Sequence, residues 1–182
     1  MNQPVTSPLG TTGPETLVAR HRHWYGHERD ANEKMLTMIE SVPESARTDP
    51  RFGRAVKLAA HLAVCRENFL ERFLGRDGNA PWWPDDVSVD TLRPRYALVE
   101  AAWSAYLDSL SETTLIQNFV LKEGGGRYLW NIEGQAFQLL GHAAYHRGQV
   151  VLLVEELGGT TVDTDYANWA FENDSRFTEL TD

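Results

Sequence analysis

The chain has 182 residues, of which 42% are hydrophobic and 24% charged, a composition that supports one domain with a real core and excludes a disordered chain. The net charge is −9 and the pI about 5.1, with Lys and Arg scattered singly or in short mixed stretches such as Arg20–Arg22, which argues against nucleic acid and against an anionic membrane surface as partners. The one cysteine, Cys65, excludes an intrachain disulfide and suits a reducing cytoplasm, the location we expect.

Residues 1–14 are rich in Thr, Ser, Pro and Gly and lack the basic and apolar regions of a signal peptide. We expect a loosely packed arm there and a single domain over residues 15–182. No apolar run reaches the length of a membrane span. A first helix is predicted over about residues 15–42, with Leu17, His21, Trp24, Glu28, Ala31, Met35, Met38 and Val42 recurring at spacings of four and three. Pro43 marks its stop. A second is predicted over about residues 52–74, striped by Leu58, Leu62, Cys65, Phe69 and Phe73 and ended by Gly75. A turn-rich loop with Trp82 and Trp83 follows. The third helix, about residues 88–110, carries Leu92, Tyr96, Val99, Trp103, Tyr106 and Leu110 on its seam, with Pro94 in its first turns.

Between it and the next helix, FVLKEGGGRYLW reads as two β-prone runs around a glycine turn, hence a small hairpin over about residues 118–130. The fourth helix spans about residues 132–157, with Ile132, Ala136, Leu139, Ala143, Val150, Val154 and Leu157 facing one way and Gly158–Gly159 at its end. The remaining tail is expected along the surface. Four helices with narrow apolar seams pack best as an all-α four-helix bundle, here with the hairpin in the connection between the third and fourth predicted helices.

His142 and His146 stand four apart on the fourth helix, about 40° apart on one face, so both imidazoles can approach one cation. His61 flanks the apolar stripe of the second helix and points toward a neighbouring helix. Three neutral imidazoles on a divalent ion leave open positions, the pattern of a catalytic site. From spacing alone, ordinary hydrogen-bonded flank histidines are the commoner outcome. Ala143 stands where HExxH requires its glutamate, which removes a metalloprotease with a built-in base. Cys65 lies one turn after His61 and could face the same cavity, although it also continues the apolar stripe as a packed thiol. His21 and Glu28 suit either a shell behind the site or a polar boundary layer. Arg147 and Gln149 read as an ion pair or helix–helix contact, Trp82 and Trp83 as pocket wall, subunit interface or hydrophobic plug. EGGGR lacks GxxxxGK[ST] and is no phosphate loop.

The stretch GHAAYHRGQVVLLVEELGG, with KLAAHLAVCRENFLERFLG, DANEKMLTMIESVP and DTDYANW, resembles the DinB-like family, which includes metal-dependent thiol S-transferases. The resemblance runs over about residues 16–166. It implies a metal triad on His61, His142 and His146, and a homodimer. It further implies transfer of a low-molecular-weight thiol to an electrophilic small molecule. The expected cofactor is one divalent ion, Zn or Ni foremost among the metals that imidazole accepts. Tyr145 and Glu133 are candidates for the acid. The alternatives are metal-activated hydrolysis, with water in place of the thiol, and a non-catalytic module pinned by its metal.

Overall fold

The computed structural model describes residues 16–174, so the expected N-terminal arm lies outside the described residues. It is an all-α bundle with one small antiparallel hairpin. Its elements are α1 (Leu17–Glu40), a 3₁₀ turn (Glu44–Ala46), α2 (Pro50–Phe73), α3 (Val89–Ser109), α4 (Glu112–Leu115), β1 (Asn118–Glu123), β2 (Gly126–Asn131), α5 (Ile132–Glu156) and α6 (Tyr166–Asn173). Side-chain caps start three of the four long helices. Thr16 accepts from the Ala19 amide, Asp49 from Arg51 ahead of Pro50, and Asn131 from Gly134, each satisfying an amide that has no partner within its helix. Gly75 and Gly158 take positive φ just past α2 and α5, where the chain must leave the helix.

The four long helices form a ring in which α1 packs on α3 and α5, and α2 packs on the same two. Helices α1 and α2, consecutive in sequence, therefore sit on a diagonal. The seams expected of α3 and α5 are buried at every position named above. Trp103 fills the centre of the bundle, its indole donating to the Arg66 carbonyl at 2.9 Å. The four buried alanines of α2, Ala55, Ala59, Ala60 and Ala63, let its neighbours approach closely.

The first helix departs from its expected seam. Tyr25 is buried and Trp24 only half-buried, and Asn32, Leu36 and Ile39 join the inner face, so α1 buries a wider stripe than one narrow seam. Two short helices were not expected. The four-residue α4 turns the chain soon after α3, so the hairpin falls between α4 and α5. The tail contains α6, capped by Asp165 and laid against α1 through Tyr166 and Trp169. Eight residues are too few to show a helical period clearly. Among the described residues, no helix is long and apolar enough to cross a membrane.

Candidate metal centre

The α2–α5 contact decides the site. His61 faces α5 from the middle of α2, and His142 and His146 face α2 from consecutive turns of α5. Ring centroids are 5.2 Å apart for His61 and His142, 5.1 Å for His61 and His146, and 4.5 Å for His142 and His146. The structure thus brings the three rings side by side, but among the described residues the ligand atoms that all lie within 4.8 Å of one another are those of His61, Cys65 and His142, and His146 is not in that group. His61 and His146 are buried and His142 half-buried. His146 completes the α5 seam between Ala143 and Val150, which explains its greater enclosure.

The Nε2 atoms of His61 and His142 lie 3.0 Å apart. His61 Nδ1 is held at 2.6 Å by the backbone carbonyl of Trp82, and its ring stacks on Trp83 at 3.8 Å with an interplanar angle of 5°. A carbonyl accepts only from N–H, so the proton of His61 sits on Nδ1 and the Nε2 lone pair faces His142. Metal-ligating histidines are usually fixed by such a donated N–H. His146 Nδ1 has a comparable partner in Gln149 Oε1 at 3.2 Å.

Cys65 is closer to the site than a merely packed thiol. Its Sγ is 3.6 Å from His61 Nε2 and 3.8 Å from His142 Nε2. His61, Cys65 and His142 offer three ligand atoms within 4.8 Å of one another, a group that could hold a metal ion. The fit is chemical as well as geometric. Tetrahedral bonds of about 2.0–2.1 Å to nitrogen and 2.3 Å to sulfur separate N from S by about 3.5–3.6 Å. Burial lowers the His61 pKa below its ordinary value, and burial, reinforced by His146, His61 and Arg66, lowers that of His142 to about 4. Both rings are therefore neutral near pH 7, with lone pairs available to a cation. Burial pushes the Cys65 thiol up to about 12, so without an ion it is protonated.

Two cavities flank the cluster. One, of about 290 Å³, is lined by His61, Cys65, Trp82, Gln135, Gln138 and His142. The other, of about 460 Å³, is lined by Trp83, Tyr145 and His146, with Arg54 and Lys57 among the rest. Both tryptophans thus serve as pocket wall. Glu28 does not reach the imidazoles, because Arg66 grips its carboxylate at two points, one of them through Nε at 2.8 Å. His21 is buried against Trp24, and Arg147 turns away from the site to donate to Asn32 Oδ1 at 3.2 Å. Sequence reasoning missed the Trp82 carbonyl altogether, since a backbone group leaves no signature in residue type.

The family model described as DinB family matches residues 1–176. No curated protein and no solved structure matches the chain.

Proposed function

The chain belongs to the DinB family, and from that premise we propose a divalent-metal-dependent transferase joining a low-molecular-weight thiol to an electrophilic small molecule. His61, His142 and His146 hold the ion, Zn or Ni, in this reading. The observation that carries it is the 3.0 Å approach of two Nε2 atoms at a cavity wall, one ring being locked from behind by a backbone carbonyl. When bound, such an ion would supply the positive charge that favours thiolate over thiol beside it.

The chain's own side chains do the rest. Neutral imidazoles leave the ion's charge uncompensated. Gln135 Nε2 donates to Gln138 Oε1 at 2.8 Å, which orients both amides along the wall and leaves further donors and acceptors for a polar ligand. The Trp83 indole screens His61 from water. Tyr145, whose ring centre is 5.0 Å from that of His146, is the acid we assign. The charge of Glu133 acts on His21, whose pKa it raises against the lowering by burial.

A specific observation favours a second ligand set, in which Cys65 replaces His146: its sulfur stands 3.6 and 3.8 Å from the other two donors, near the spacing of ligands that share one ion. The triad is preferred because deprotonating so buried a thiol costs energy that a neutral imidazole does not require. We also propose a homodimer formed through the outward face of α5, where Phe137 and Leu152 are 63% and 61% exposed. Light scattering giving a strictly monomeric mass would refute it.

The test of function uses purified protein reconstituted with Zn or Ni, with glutathione, bacillithiol and mycothiol screened against a panel of electrophiles. Metal-dependent thiol consumption supports the proposal. Metal-dependent turnover without thiol would replace it with hydrolysis, and a retained ion without turnover would leave a metal-pinned module. Failure to retain any ion would refute all three metal readings. Replacing the ion with Co(II) separates the ligand sets, since only the cysteine set gives thiolate charge-transfer absorption.

A further inference from the structure

Beyond Trp82, away from the imidazoles, lies a cavity of about 530 Å³ between the loop after α2 and the glycine turn of the hairpin. Its wall carries three cations, Arg72, Lys122 and Arg127, in a chain whose net charge is −9. Lys122 and Arg127 are direct cross-strand partners. Directly opposed residues share a face of the sheet, and like charges so placed weaken a hairpin. Within this opposed pair, Asp77 answers Lys122, whereas Arg127 makes no ion pair among the described residues. The hairpin therefore carries an electrostatic cost that an anion in the cavity would remove.

The remaining walls are rigid. Arg72 is buried, with its guanidinium carbon 5.2 Å from the Phe69 ring centre and 4.9 Å from that of Trp82, and its Nε donating to the Asp77 carbonyl at 3.3 Å. A guanidinium held against two aromatic rings presents its planar donors in a fixed direction. Asn68 of α2 donates to the Ala80 carbonyl at 2.8 Å and accepts from the Ala80 amide at 2.9 Å. Gly78 sits at φ +56°, so near α2 that a Cβ there would lie 2.2 Å from the Asn68 carbonyl oxygen. Opposite this floor, Gly124 and Gly125 both take positive φ, the two-residue turn that lets β1 and β2 close tightly.

We propose that this cavity binds the anionic group of a small molecule, a carboxylate or a phosphate, clamped between Arg72 on α2 and the Lys122–Arg127 pair on the hairpin. Trp82 lines both this cavity and the one containing His61 and His142. A ligand held here by its anionic end has its other end directed across one indole toward the imidazoles. That second statement rests on the proposed function; the anion site does not.

Calorimetric titration of the full-length, metal-free chain with citrate and with pyrophosphate tests the site. Saturable binding is expected, stronger for citrate if the ligand group is a carboxylate and for pyrophosphate if it is a phosphate. In the double variant Lys122→Ala, Arg127→Ala affinity should fall by about tenfold or more, as expected for loss of charge-assisted hydrogen bonds. Both residues are exposed, so circular dichroism should show an unchanged fold. Arg54→Ala, an exposed arginine in the neighbouring cavity, should leave affinity intact. Absence of saturable binding to the wild type overturns the proposal, as does equal affinity in wild type and double variant, or an equal loss in Arg54→Ala. Because no metal is present, failure of the metal reading does not alter any of these outcomes.

Discussion

Two buried polar clusters lie within one turn of each other in this bundle, built from adjacent residues of the same helices. Cys65 and His146 face the two cavities that flank the imidazoles. Their sequence neighbours Arg66 and Arg147 face the opposite way, where Arg66 binds Glu28 and Arg147 binds Asn32, both of α1. The inner cluster is ionic and nearly closed on itself, with Arg66 further packed 4.6 Å over the Trp103 ring. The outer cluster makes no ion pair among the described residues, and the Nε2 atoms of His61 and His142 meet at 3.0 Å beside a cavity. Burial alone therefore does not distinguish a structural polar group from a ligand. The distinguishing property is whether the group's partners are already in place.

The sharpest way to break this contrast is to remove one partner from each cluster. Glu28→Ala strands the Arg66 guanidinium in the core, and such losses cost about 3–5 kcal/mol. Urea denaturation should show that loss with no role for metal. His146→Ala should cost only about 1–2 kcal/mol, the range for trimming one buried side chain, yet abolish metal retention and thiol-dependent activity while circular dichroism stays native. If His146→Ala unfolds the chain, the two clusters are alike and the outer one is structural. If it keeps metal and activity, the triad is wrong.

A smaller effect comes from pH. Burial and the neighbouring imidazoles hold His142 at about 4 in the fold, against about 6.5 in the unfolded chain. Between those values the unfolded chain binds a proton that the native state refuses, so stability falls as pH falls. The contribution is complete above about pH 6.5 and lost progressively toward about pH 4. Urea midpoints of the metal-free chain should decline over that window, and less steeply in His142→Ala. Equal slopes would mean that the outer cluster does not resist protonation. The smallest expected effect is that of Cys65→Ser. On the triad reading it leaves metal content and turnover near wild type, and a loss of metal as large as that of His146→Ala would transfer the third ligand to the sulfur.

Much of this contrast was legible in the sequence, and the illegible part has physical causes. The seams of α3 and α5 are buried at every position their period predicts. The α1 seam is not, because its buried face is wider than one narrow stripe and takes Tyr25 in place of Trp24. The HxxxH pair and His61 stand out as polar interruptions of apolar stripes. Cys65 does not, since a thiol fits an apolar stripe whether it packs or ligates. Nor could residue spacing show that Glu28 belongs to Arg66 rather than to the imidazoles, because that pairing is set by how α1 and α2 meet across the diagonal of the bundle.

The double hydrogen bond between Asn68 and Ala80, twelve residues apart, has a further consequence. It joins the loop to α2 as a single rigid body, so the carbonyl of Trp82 travels with the helix that carries His61. The imidazole is aimed by its own helix through a covalent detour, and no conformational search is needed when a ligand arrives. The same linkage gives a remote substitution leverage. Gly78→Ala touches no imidazole, yet it would wedge the loop off Asn68, withdraw the Trp82 carbonyl and free the His61 ring to rotate, so its phenotype would imitate that of a lost ligand.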